Sequence, residues 1–487
     1  MTYFKDSYFL KVLSRLDINE NSFLFKKLQT CFLLNFLNKI LTFFQNLFEK
    51  YVNNSIFINK IEGIILFFIA LLLISLTFAS TGIIGMLIGA CFLLFALKLF
   101  LKKGEALSVN AFDIPIFLYI LIIALSVAFS SLLMPAVKGF AKVIVYFSCY
   151  IVFFNILKDK PVRAYYLLAA LAITAFSESV AAIYQNFIGV ESLATWQDTS
   201  NINPEQIMTR VYGTLKPFNP NLLAGYLIAA LSSTAGLFFI YASLKKVRLS
   251  LLFLIASVSI ALAIVFTGSR GAYMALGAIT TAFVLISGHI IWQDFKEKLW
   301  LKKLWLYLVI VGVFSFIALI LCSPALQHRI LSIFAFREDS SNSFRLNVYI
   351  SSFKMFMDNW FIGIGPGNEV FRLIYGLYMK TSYDALAAYN IFLEIAVESG
   401  IIALFAFSWL ILLVFIKSIA VIISKDVVLQ TKILVSSCLI GVIGLMTHGF
   451  VDTIFFRPQL QVIFWLLIAV LAANITKERN KLGYTNH

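Results

Sequence analysis

A chain of 487 residues that is 61% hydrophobic and 13% charged, with 49 phenylalanines and a mean hydropathy of +0.91, cannot fold as a soluble globule, because it has too little polar surface to cover its apolar area. Its apolar runs of about 18 to 25 residues suit helices crossing a hydrocarbon core of roughly 30 Å, and not the short alternating strands of a barrel. The formal net charge of +15 falls mostly in short connections between these runs, the pattern of positive-inside topology, and therefore argues for no nucleic-acid partner.

Residues 1–60 form a basic segment without the compact apolar core and small-residue cleavage site of a signal peptide, and are expected to be cytoplasmic. Within it, Cys31 to Phe48 places Leu33, Phe36, Leu37, Ile40, Phe44 and Leu47 on one helical face, with Asn35, Asn38, Lys39, Thr42, Gln45 and Asn46 largely opposite. This reads as an amphipathic helix on the inner membrane surface, or as a docking helix for a cytoplasmic partner through residues 31–48. Spanning segments are expected at 62–79, 82–100, 114–131, 140–157, 164–186, 221–242, 249–266, 272–292, 304–322, 391–416, 433–450 and 459–475. The fold class is therefore an all-α polytopic membrane protein of about 12 transmembrane helices, with one large folded external loop between helices 9 and 10. The membrane domain covers 62–475, its loop 323–390, and a cytoplasmic tail follows at 476–487.

Lysine and arginine concentrate in every second connection, at 102–103, 158–163, 245–248, 296–303, 417–432 and 477–481. That places both termini on the cytoplasmic side of an inner, or plasma, membrane. The loop 323–390 is then external, and it is too rich in aromatic and aliphatic residues to be disordered. Within it Arg345 to Phe361 reads as a short helix flat on the outer surface, followed by a tight turn at Gly363 to Asn368. The five cysteines, Cys31, Cys91, Cys149, Cys322 and Cys438, have no paired spacing and read as buried packing residues. No metal-ligand spacing, phosphate-binding loop or dinucleotide fingerprint occurs, so neither a metal nor another cofactor is expected.

This topology puts Arg210, Arg270, Arg329, Arg337, Arg345, Arg372 and Arg457 outside, where arginine runs against the general bias. Each alone could be a headgroup contact; together they suggest a convergent anion site, since a guanidinium fork pairs bidentately with phosphate or carboxylate oxygens. Arg270 is held in the five-residue turn Thr267 to Gly271, and Arg210 precedes a helix start that Asn219 or Asn221 would cap. Glu394 and Glu398 lie one turn apart at the start of a spanning helix, either compensating its dipole, pairing a loop arginine or serving as a base. Glu178 lies well inside a spanning segment, a position that proton or substrate handling would explain. His448, Asp452 and Arg457 fall in HGFVDTIFFRP, as an acid–base pair or a hydrogen-bonded turn.

TRVYGTLKPFNPNLLAGY, TGSRGAYMAL, SFRLNVYISSFKMFMDNWFIGIGPGN and AAYNIFLEIAVESGIIALF follow one another in the order and spacing of the O-antigen ligase and polymerase superfamily. With HGFVDTIFFRPQLQVIFWLL, the chain most closely resembles the cyanobacterial branch named for inorganic-carbon (bicarbonate) transport. The resemblance implies a fold of about twelve helices with the site on a large periplasmic loop, consistent with the apolar runs. In the ligases it implies arginines, here Arg210, Arg270 and Arg345, that hold the pyrophosphate of a polyprenyl-linked glycan. It also implies a metal-independent reaction in which a histidine activates the acceptor sugar. Here that position is Tyr389, in Ala388–Tyr389–Asn390, and an ordinary phenol titrates near 10, too high for a base at neutral pH. Two substrates follow, in a protein that also contacts membrane lipid: bicarbonate, captured by the arginines and passed along Glu178 or His448, or a polyprenyl-pyrophosphate glycan, with Glu394, Tyr389 or His448 in the catalytic role. A scaffold of a carbon-uptake system, docked through the N-terminal helix, is the third reading.

Overall fold

The computed structural model describes residues 22–52, 55–190, 209–335, 340–381 and 383–481. The described residues are helical throughout, without strand. Two helices precede the bundle, α1 (Phe23–Gln29) and α2 (Phe32–Val52). The bundle follows as α3 (Ile56–Ser75), α4 (Thr81–Leu101), α5 (Asp113–Ala128), α6 (Leu133–Leu157), α7 (Arg163–Ile188), α8 (Pro220–Ser243), α9 (Val247–Phe266), α10 (Arg270–Asp294) and α11 (Leu299–Cys322). The connecting segment carries α12 (Pro324–Leu331), α13 (Ser340–Asp358) and α14 (Asn368–Tyr375). The last three helices are α15 (Ile391–Ile423), α16 (Leu429–Gly449) and α17 (Pro458–Lys481).

Eleven of the described helices are long and apolar enough to cross a membrane, which makes this a multi-pass membrane protein. The remaining expected span, 114–131, is α5, which has 16 residues and therefore extends only about 24 Å. It stops at Ala128 because its end meets protein. Ser126 Oγ donates to the Glu398 carbonyl at 2.7 Å and Ser130 Oγ to the Ile364 carbonyl at 2.7 Å. The core lies around α8, α16 and α17, which are mostly buried, whereas α11 has no buried residue and is apolar on every face. Cys322 ends that helix and is exposed, contrary to the expectation of a packing role; Cys91, Cys149 and Cys438 are buried.

The connections gather at two ends of the bundle. At one, the Glu62 carboxylate accepts from Lys98 at 3.1 Å, Lys102 at 2.9 Å and Arg163, while Lys98 also reaches Glu105 at 3.0 Å. Lys432 meets Asp294 there at 2.8 Å. Helix α2 docks at this end. Gln45, expected on the polar face, is buried, and its Nε2 donates to the Leu99 and Glu105 carbonyls at 2.7 and 2.8 Å. Phe36, Leu37 and Leu47, from the expected apolar face, are exposed. The last carbonyls of α4 lack helical partners, and the buried amide satisfies one of them.

At the other end the segment between α11 and α15 has its own apolar core, in which Val348, Met355, Val370, Phe371 and Tyr375 pack with Val127, Ala136 and Val397 of the bundle. Helix α13 buries Val348, Ser351, Ser352 and Met355 on one face and packs on α15, while Ile350, Phe353 and Met357 on the other side are exposed. The turn after it enters the bundle. Ile364 N donates to the Val397 carbonyl at 3.0 Å, Gly365 N to that of Glu398 at 2.9 Å, and Ile401 N to that of Trp360 at 2.8 Å. These bonds require a break in α15, which occurs at Gly400 with φ 77°. Non-helical backbone is stable at this depth only because protein groups satisfy it.

Candidate functional site

Arg210 opens a short extended stretch leading to α8. Pro220 occupies the first turn of that helix, and Asn219 caps it, its Oδ1 accepting from the Asn221 and Leu222 amides at 2.8 and 3.4 Å. The first free amides of α8 are thus occupied by the cap. Asn221 is released for another task. Its Oδ1 accepts from Arg210 Nη2 at 2.6 Å, and its Nδ2 donates to Asp452 Oδ2 at 2.7 Å.

The turn between α9 and α10 collects three arginines. Arg210 Nε donates to the Thr267 carbonyl at 3.0 Å and Arg329 Nε to the Gly268 carbonyl at 2.7 Å. Arg270 Nη1 lies 3.3 Å from the Ser332 carbonyl and 3.4 Å from its hydroxyl. Both Arg270 and Arg329 are buried. The fourth arginine, Arg345 on α13, approaches Asp452 Oδ2 at 3.5 Å and Ser341 Oγ at 3.2 Å, with its guanidinium 5.9 Å from the Tyr389 ring centre. Its buried Nε has no protein partner.

Asp452 therefore joins Arg345 to Arg210 through Asn221, and Thr453, next in sequence, donates its hydroxyl to Glu394 Oε2 at 3.2 Å. His448 is fully buried in a slot between Gly225 and Gly271, where a Cβ on Gly271 would fall 2.6 Å from the ring. Its Nε2 is 3.4 Å from Ser269 Oγ, and its Nδ1 has no protein partner. Tyr389 sits at φ 54°, a left-handed conformation rare outside glycine. Its carbonyl accepts from the Tyr349 hydroxyl at 3.1 Å, and the next residue, Asn390, caps α15.

The electrostatics favour an anion. Burial lowers the Arg210 pKa to about 10, with Asp452 raising it and the like charges of Arg270 and Arg345 lowering it further. The group remains cationic at neutral pH, and an added anion would relieve both the burial and the repulsion. Tyr389 moves the opposite way from a useful base: burial, then Asp452, raises its phenol above its ordinary value, against a smaller lowering by Arg345.

Of the residues singled out in sequence, Arg210, Arg270, Arg345, Asp452, Tyr389, Glu394 and His448 come together around this turn. Three do not. Arg457 is exposed and takes no part in these contacts. Glu398 meets no loop arginine; it accepts the Gly367 amide and faces Lys142. Glu178 accepts from the amide and the hydroxyl of Thr214. Arg337 and most of the expected 189–217 loop lie outside the described residues. Sequence reasoning counted Arg329 only as one of the external arginines, offered Asn221 only as an alternative cap, and assigned no task to Ser332. The preference of proline for the first helical position could have assigned the cap to Asn219 and left Asn221 unpaired; Ser332 had no such signal.

A polytopic helical membrane protein with arginines gathered at one end of its bundle is the class this geometry defines. Residues 251–408 match the Wzy_C family model, described as O-antigen ligase. The matched region, about a third of the chain, includes Arg270, Arg329, Arg345, Tyr389 and Glu394, whereas Arg210, His448 and Asp452 lie outside it. No curated protein matches the chain. The bicarbonate-transport branch suggested by the sequence motifs finds no support in the family match.

Proposed function

We propose that this protein transfers a glycan from a polyprenyl-pyrophosphate carrier to an acceptor hydroxyl at the external face of the membrane. The observation that carries this reading is the convergence of Arg210, Arg270, Arg329 and Arg345 around the Thr267–Gly271 turn, within or beside the ligase-like region. The acceptor oxygen attacks the anomeric carbon, the bond from that carbon to the phosphate oxygen breaks, and its electron pair leaves with the pyrophosphate. Charge grows on the leaving group, where preorganised guanidinium donors in a water-poor site act most strongly. The acceptor proton passes to a carboxylate at Asp452, with Glu394 behind it through Thr453. The position of the site on the face away from the lysine-rich connections, both termini being cytoplasmic, follows from the positive-inside rule.

Transfer of label from a polyprenyl-pyrophosphate glycan by the purified chain tests the proposal. Saturable bicarbonate flux in proteoliposomes, lost in Arg270→Ala and without glycan transfer, would overturn it. Because the Tyr389 phenol stays protonated across the neutral range, Tyr389→Phe should lower kcat by less than about fivefold and leave the pH profile between about 6 and 9 unchanged. A loss above about 100-fold with a missing alkaline limb would make the phenol the base after all.

A further inference from the structure

We infer that Glu178 and Gln185 are positioning residues, which act on the donor pyrophosphate through Arg210; this rests on the ligase reading above. Both belong to α7 and lie seven residues apart, two turns along one face. Glu178 is 3% exposed. A carboxylate there is unfavourable unless hydrogen bonds compensate for lost water.

The compensation comes from one residue, Thr214, through its backbone amide and its side-chain hydroxyl. Glu178 Oε2 accepts from the Thr214 amide at 2.8 Å, and Oε1 accepts from the Thr214 hydroxyl. Gln185 Oε1 accepts from the Tyr212 and Gly213 amides at 3.1 and 2.8 Å, and its Nε2 donates to the Gly213 carbonyl at 3.0 Å. Two side chains thus hold three consecutive residues, 212–214, by every kind of group that the stretch offers. Gly213 stands at φ 64°, close enough that a side chain would press on the Glu178 carboxylate.

Arg210 lies just before this staple. Val211 between them donates its amide to the Phe266 carbonyl at 3.3 Å, and beyond the staple Gln459 Nε2 donates to the Lys216 carbonyl at 3.0 Å. The stretch bearing Arg210 is therefore pinned by α7, α9 and α17, and the guanidinium reaches Thr267 and Asn221 from a fixed origin. Such a short extended stretch has no secondary-structure ladder of its own to set where its arginine points. A carboxylate at position 178 provides two acceptors for the two Thr214 donors, the role that intramembrane proton handling would otherwise have explained.

The test is a double-mutant cycle on the full-length chain, read as the Kd for a polyprenyl pyrophosphate lacking glycan and as kcat/KM for the glycan-loaded donor. Arg210→Ala should weaken both by about 30- to 100-fold and Glu178→Ala by about tenfold, with the pair no worse than Arg210→Ala alone. Glu178→Gln should stay within about threefold and keep the wild-type pH profile, since the amide oxygen retains the Thr214 amide and the hydroxyl can turn to accept. Gln185→Ala repeats the cycle if Glu178→Ala fails to fold. Losses that multiply in the pair would overturn the positioning role, and so would a Glu178→Gln chain as impaired as Glu178→Ala with a lost pH limb. An Arg210→Ala chain with unaltered binding and turnover would overturn the clamp, and this inference with it.

Discussion

Arg345→Ala should lower glycan transfer by about 10²- to 10³-fold, mainly in kcat, as expected for loss of a preorganised donor to a developing anion. The guanidinium lies between Asp452 and the Tyr389 ring and has a buried Nε without a protein partner. A ligand oxygen would satisfy that donor. Arg345→Lys should restore little, because an ammonium cannot reproduce a planar fork whose arms face different partners. Transfer kinetics with a polyprenyl-pyrophosphate donor check this, with retention time in detergent as the control for folding. Lysine rescue to within about threefold would reduce Arg345 to a point charge, and equal loss of kcat and folded yield would make its role structural.

Gly400→Ala should be strongly destabilising. At φ 77° alanine is strained, and its Cβ would collide with the Phe361 carbonyl carbon and oxygen, which belong to backbone and cannot swing aside. Relief would require parting the turn at Gly363–Gly367 from α15, with loss of the Ile364, Gly365 and Ile401 hydrogen bonds. A destabilisation above about 3 kcal/mol follows, read as a collapse in folded yield and melting temperature in detergent. Near-wild-type melting would mean that the break in α15 does not depend on glycine. Activity should fall with it, because Glu394 and the Tyr389–Asn390 cap lie on the same side of that break.

The residues of the candidate site were unequally legible. Arg270 stood out because an arginine in a turn of about five residues between two apolar runs must lie at the membrane boundary. Arg345 and Tyr389 came from motif resemblance and from a charge pattern that placed their loop on one side. Glu178 was conspicuous as an acid within a span, yet its task depends on a backbone stretch more than thirty residues later. The partners of Gln45 were hidden for a related reason. Helical periodicity assigns a face, but the unpaired carbonyls at the end of α4 decide which polar residue is drawn inward.

By itself the sequence determined the helical membrane class and the position of eleven of the twelve expected spans, since these depend on local hydropathy and on the need to satisfy backbone groups within each segment. Only the tertiary structure decided that α5 stops short against an inserted turn, that Asn221 and Asp452 couple Arg210 to Arg345, and that Arg329 joins the turn carrying Arg270. Each of these is a hydrogen bond or close approach between segments distant in the chain, and such contacts leave no period or composition behind in one sequence.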